Sequence, residues 1–233
     1  MAHEYQYTDA ARGGLDAVDR RASFITRTYN HLFGAIVAFA LIEVALFKFD
    51  IAPRIAQAMI GTSWLLVLGG FMLVSWIASR VAHTAQSAAA QYAALAGYVV
   101  AQALIFVPLL YIANEVAPGV ITSAALVTMV GFAGLSAVAF VTRKDFSFLR
   151  GLLMWGGIGA LVLIAAGILF GFQLGVFFSV GMVVFAGAAI LYDTSNVIHH
   201  FPEDRHVGAA LELFASVALL FWYVLRLFLA SRD

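Results

Sequence analysis

Three carboxylates and one guanidinium stand where the surrounding sequence gives them little water. Glu43, Asp193 and Glu212 each fall within or beside a long apolar run, and Arg226 lies well inside the last of these runs. A charge inside a membrane span costs at least about 2.5 kcal/mol even on lenient scales, so each such group is a candidate for function. The chemistry open to them is proton exchange and cation coordination. Asp193 is the richest case. It stands in ILYDTSNVIHH (190–200), where Tyr192, Thr194, Ser195 and Asn196 offer a hydrogen-bonding pocket. Two readings stay open. Asp193 is either a helix-end acid that reaches interfacial water or a buried carboxylate that exchanges a proton and acts as a switch.

Glu212 and Ser216 are four residues apart and share a helix face. Tyr223 falls on the same stripe about three turns further on, and Arg226 lies close to it, roughly 20 Å along the axis from Glu212. Such a stripe faces the bundle interior or a water-filled cavity. There it either lines a path or merely ties helices together by hydrogen bonds. Glu43 has no partner nearby in sequence and either snorkels outward or meets another helix.

Enzyme chemistry finds no support. An intramembrane aspartyl protease needs two facing aspartates that share a proton, and no other span carries an aspartate. HExxH and a Gly-rich phosphate loop followed by Lys are absent. There is no cysteine, hence no disulfide framework, thiolate metal site or thiol nucleophile. His199, His200 and His206 read as interfacial groups that titrate near neutral pH rather than as a metal site. No cofactor is expected.

The elements that must position these groups follow from composition. The 233 residues are 63% hydrophobic and 11% charged, whereas an ordinary globular chain is about half apolar and a quarter charged. The excess must face lipid or partners. With 13 basic and 13 acidic residues the net charge is zero, which argues against a nucleic-acid partner. A bilayer core about 30 Å thick needs roughly 20 apolar residues per helix. Seven runs qualify, at about 29–47, 55–78, 88–112, 120–141, 151–172, 174–196 and 207–229. The expectation is an all-α integral membrane protein, a seven-transmembrane-helix bundle over 29–229, with an N-terminal tail over 1–28 and a short C-terminal tail over 230–233. Gly13 and Gly14 are expected to break any helix in the N-terminal tail, which is no signal peptide because its apolar run begins too late. His199, His200 and Pro202 to Arg205 are expected to form the last loop.

Charge placement sets the orientation. With the N-terminus cytoplasmic, Arg12, Arg20, Arg21, Arg27, Arg80, Arg143, Lys144, Arg150 and Arg205 lie inside. Only Lys48, Arg54 and Arg232 then lie outside. A six-span alternative with a re-entrant last segment also fits the hydropathy. Gly156 with Ala160, and Gly167 with Gly171, have the four-residue spacing of close helix packing.

Three stretches carry a family resemblance: TRKDFSFLRG (142–151), ILYDTSNVIHH (190–200) and LASRD (229–233). From about residue 25 to its end the chain resembles the Bax inhibitor-1 family of membrane proteins. The first and last stretches look most like the bacterial subgroup that modulates the membrane-anchored ATP-dependent protease FtsH. The resemblance implies six helices around a central seventh. It also implies, in calcium-leak members, a proton-sharing pair of aspartates in the sixth and seventh spans. Asp193 matches the first, while Ser216 stands at the place of the second, a departure typical of the protease-modulator subgroup. An Arg near the end of the second span pairs with that dyad, and Arg80 is the nearest match. Glu212, one turn before Ser216, is a candidate replacement for the missing acid.

Two functions follow. In the first the chain binds FtsH, and its membrane regulators, in the bacterial inner membrane. In the second it is a pH-sensitive leak for Ca²⁺ or another cation, with Asp193, Glu212, Ser216 and Arg80 gating and Tyr192, Thr194, Asn196 and Tyr223 lining a polar path. Ca²⁺ would then be cargo, held by oxygen ligands.

Overall fold

The computed structural model describes the backbone of residues 2–231 and the side chains from Val18 onward. Apolar chain in lipid must satisfy its backbone hydrogen bonds internally, which leaves helices as the economical solution. Eight form: α1 (Ala2–Lys48), α2 (Ala52–Ile60), α3 (Trp64–Thr84), α4 (Ala88–Val116), α5 (Val120–Thr142), α6 (Leu149–Phe170), α7 (Gly175–His199) and α8 (His206–Ala230). All except α2 are long and apolar enough to cross a membrane. At one end of the bundle, here the near end, lie the loops 85–87, 143–148 and 200–205. The far end holds α2, the turn from α6 to α7 and the end of α8.

α8 occupies the centre and touches α1, α3, α4, α5 and α7, whereas α6 reaches the bundle through α7 and, slightly, α3. α8 is continuous over 25 residues, so no re-entrant turn interrupts it. Its small residues let neighbours approach. At Gly208 an added Cβ would stand 3.2 Å from the Ala82 carbonyl oxygen of α3. Two packed layers of side chains surround α8. Phe24, Leu32, Tyr98 and Phe214 fill the near half, and Phe106, Leu110, Ile190 and Leu225 fill the far half.

Three expectations are corrected. The run 55–78 is not one helix. Gly61, Thr62 and Ser63 separate α2 from α3, since three poor helix formers in succession favour a break. α2 instead buries Ala52 and Ala56 beside Val107, and the second span shifts to 64–84. Gly13 and Gly14 do not stop α1. Each costs about 1 kcal/mol relative to Ala, but a helix already nucleated downstream extends through them without a new nucleus. His199 belongs to the last turn of α7 rather than to the loop. Of the expected C-terminal tail, Arg232 and Asp233 lie outside the described residues, as do the side chains of the first 17.

Candidate functional site

The site lies at the near end, where α7 and α8 pack along each other. ILYDTSNVIHH continues α7 to His199, which sets Asp193 about two turns from its end. Ser216 faces it from α8. The Ser216 hydroxyl donates to Asp193 Oδ2 at 2.5 Å. Asp193 is 8% exposed and Ser216 also 8%, so this contact lies within the bundle rather than in interfacial water. Asp193 is therefore a buried carboxylate rather than an exposed helix-end acid. The α7–α8 seam carries it inward.

A cavity of about 660 Å³ opens from this pair toward the near end, lined by Tyr192, Asn196, Glu212, His83, Arg150 and His200 among others. Glu212 is not bonded to Asp193. Its Oε1 lies 2.9 Å from His83 Nε2, at ion-pair distance but without a hydrogen bond's alignment. Both side chains are about one-third exposed, so the contact is screened. Behind Asp193, Thr194 is fully buried. Its hydroxyl lies near those of Tyr29 and Ser136, and none of the three completes a hydrogen bond.

The loop from α5 to α6 is pinned over the cavity. Arg143 takes a left-handed conformation, φ 49°, which ends α5 abruptly. The Phe146 N–H donates to Ser195 Oγ at 2.9 Å, and the Ser195 hydroxyl donates to the Lys144 carbonyl at 3.4 Å. Asp145 accepts from the Ser147 N–H at 2.8 Å and lies 2.9 Å from His200 Nε2. The Ser147 N–H foremost, then the His200 ring, hold the Asp145 carboxyl below its ordinary value. Two arginines fasten the other loops. Arg21 donates to the Phe201 carbonyl at 2.7 Å, and Arg205 donates to the Ala85 carbonyl.

Two expected members stand elsewhere. Arg80 is exposed and lies over the ring of Trp76 on its own helix, 5.6 Å from the centroid. The register shift of the second span turns Arg80 outward and places His83, almost one turn later, opposite Glu212. Tyr223 is buried in the far half, edge-on to Phe178 at 5.9 Å, and takes no part in the Asp193 cavity. Asp193, Ser216, Tyr192, Asn196 and Glu212 are brought together, with Thr194 at their back. Sequence reasoning missed His83, Arg150 and the role of Ser195. The signal for His83 depends on where α3 ends, which hydropathy alone does not answer. Among the described residues no three His, Asp or Glu side chains converge as metal ligands would.

Comparison with known proteins adds the family. Residues 21–233 match the family described as "Inhibitor of apoptosis-promoting Bax1". The chain belongs to the Bax inhibitor-1 family. It is 40% identical over 118 residues to the uncharacterized protein PA2604 of Pseudomonas aeruginosa, covering 49% of this chain and 52% of that one. It is 36% identical over 100 residues to the "Modulator of FtsH protease YccA" of Escherichia coli K12, covering 42% and 45%. A counterpart of that relative from another Escherichia coli strain, equally similar, is named "Inner membrane protein YccA". The matches span about half the length of these relatives. Within the Bax inhibitor-1 family, the local geometry of this member is a hydroxyl–carboxylate pair at the seam of its last two helices.

Proposed function

We propose that this chain is a multi-pass protein of the bacterial inner membrane, with its N-terminus cytoplasmic, that binds and modulates the membrane-anchored protease FtsH. The observation that supports it is the Asp193–Ser216 bond. Two facing carboxylates hold together only by sharing a proton. A serine hydroxyl donates to an ionised carboxylate without one, so this seam stays closed when Asp193 is charged. A static seam suits a binding module better than a proton gate. The name of the Escherichia coli relative points the same way. α1 carries Arg20 and Arg21 toward Glu203 at the near end, 3.5 and 4.0 Å away, and the segment before them is the natural handle for a cytoplasmic ATP-driven machine. The N-in orientation puts most of the basic residues on the cytoplasmic side. A pull-down of the full chain from detergent should recover FtsH above background. Recovery no better than an unrelated seven-span protein would overturn the proposal.

A second reading, a cation leak, draws on one specific observation. Ser216 also lines a large cavity of the far half, while Asp193 lines the near one. The pair is thus the partition between two cavities, and opening it would join them. Flux of Ca²⁺ into liposomes should be small for the native chain and vary little with pH. Ser216→Asp, which restores the paired acids, should add a pH-dependent flux. Strong native flux abolished by Asp193→Asn would favour the leak over the binding module.

A further inference from the structure

The far half contains a cavity of about 1000 Å³, bounded by α3, α4, α6, α7 and α8. Its wall is mostly apolar and aromatic, with Trp64, Ile164 and Trp222 among the lining residues. α3 and α6 scarcely touch, so the slot between them is not sealed against lipid. Along α8 it runs from Ala215 to Ala230, about 22 Å at 1.5 Å per residue. One leaflet of hydrocarbon is about 15 Å deep. The slot is therefore long enough for a single lipid chain, and its volume lies at the top of the range usual for drug-sized ligands, about 300–1,000 Å³.

Its mouth is cationic. Arg226 lines the cavity one turn before the end of α8, about 6 Å from the helix end and so at head-group depth. The guanidinium lies 5.9 Å from the Tyr223 ring centroid. Among the described residues no carboxylate comes within ion-pair reach of it. A half-buried arginine at this depth calls for an anion, and a planar guanidinium fits a phosphate through two parallel hydrogen bonds. Trp64 and Trp222 stack 6.4 Å apart, which is the aromatic signature of a membrane interface.

We propose that this cavity holds one acyl chain of an anionic phospholipid whose phosphate is clamped by Arg226 at the mouth. A membrane lipid, rather than a partner helix, suits the single cation above a narrow slot open toward lipid. The proposal does not rest on the protease reading.

Native mass spectrometry of the detergent-purified full chain tests it, with phosphatidylglycerol, phosphatidylethanolamine or palmitate added. The wild type should retain phosphatidylglycerol about tenfold better than phosphatidylethanolamine, whose own ammonium neutralises and competes for the phosphate that Arg226 would clamp. Arg226→Gln should erase that preference, while Arg54→Gln, at an exposed position of the same end, should keep it. Ile164→Trp, which fills the slot, should reduce retention of both phospholipids. Equal retention of the two by the wild type would overturn the proposal, and this readout needs no variant to fold. Palmitate retained as well as phosphatidylglycerol would overturn the phospholipid assignment, and a lipid-free dimer would assign the slot to a second copy instead.

Discussion

The two halves of the bundle hold their charged groups in opposite ways. In the near half four of them meet a partner on another element. Asp193 accepts from Ser216, Glu212 faces His83, Arg21 reaches the Phe201 carbonyl and Arg205 the Ala85 carbonyl. In the far half, among the described residues, Glu43 is 6% exposed with neither carboxyl oxygen bonded, and Arg226 meets only an aromatic ring of its own helix. What joins the helices there is aromatic. Phe106 stacks on Phe221 at 5.5 Å, and both Phe39, at 5.2 Å, and Trp222, at 4.9 Å, meet it edge-on. Lipid is as apolar as leucine, so the hydrophobic effect does not choose which helix face turns inward. Polar partners choose in the near half, and ring shape chooses in the far half. Polar substitutions should therefore damage one half and repair the other.

The largest effect is expected at the partition. Ser216→Leu removes the one side-chain donor to Asp193 among the described residues and adds bulk at a buried position. Abandoning the carboxylate costs about 1–3 kcal/mol, and the added volume about as much again. Thermal unfolding in detergent should show a drop of several degrees or more. An unchanged midpoint would mean that the seam is loose and the contrast between the halves false. Glu43→Leu comes next, with the opposite sign. Removing a buried acid that lacks partners should stabilise by about 1–3 kcal/mol, and a fall in the midpoint would show that Glu43 has a partner after all.

The Glu212–His83 contact should matter less. Both groups are about one-third exposed, and solvent screening limits such a pair to about 1 kcal/mol or less. A double-mutant cycle with Glu212→Gln and His83→Ala isolates the coupling. A coupling well above 1 kcal/mol would give α3 and α8 a polar fastening to rival the one that Asp193–Ser216 makes between α7 and α8.

The solvent class, the number of spanning helices and the face shared by Glu212 and Ser216 were legible in the sequence, because twenty-residue apolar runs and a 3.6-residue period are strong signals. Of the polar neighbours expected around Asp193, Tyr192 and Asn196 do line its cavity, but the hydroxyl that bonds it, Ser216, comes from another helix. What escaped was register across helices. Hydropathy could not place the break at Gly61 to Ser63, so Arg80 stood for a position that His83 holds. Nor could it rank burial. The best 18-residue windows of α6 and α8 have mean hydropathies of 2.3 and 2.1, yet 6% and 50% of those windows are buried. Ser195 was read as pocket lining, whereas it fastens a loop some fifty residues away in the chain, a contact that only the fold creates.

The smallest effect belongs to Asp145, which closes the near end from outside. Its carboxyl accepts the Ser147 N–H and faces His200, and both favour the ionised form, so its folded value lies below the ordinary 3.8. A depressed carboxyl stabilises the fold above the unfolded value and stops doing so as pH falls through the folded one. Asp145→Asn should therefore lower the midpoint slightly at pH 7, and the gap to the wild type should close only as the pH falls below about 4. The side chain is about half exposed, and solvent screening keeps the gap small. A gap that widened on acidification would reverse the sign and show that Asp145 is held in its neutral form, leaving Ser195 alone to pin the loop over the Asp193 cavity.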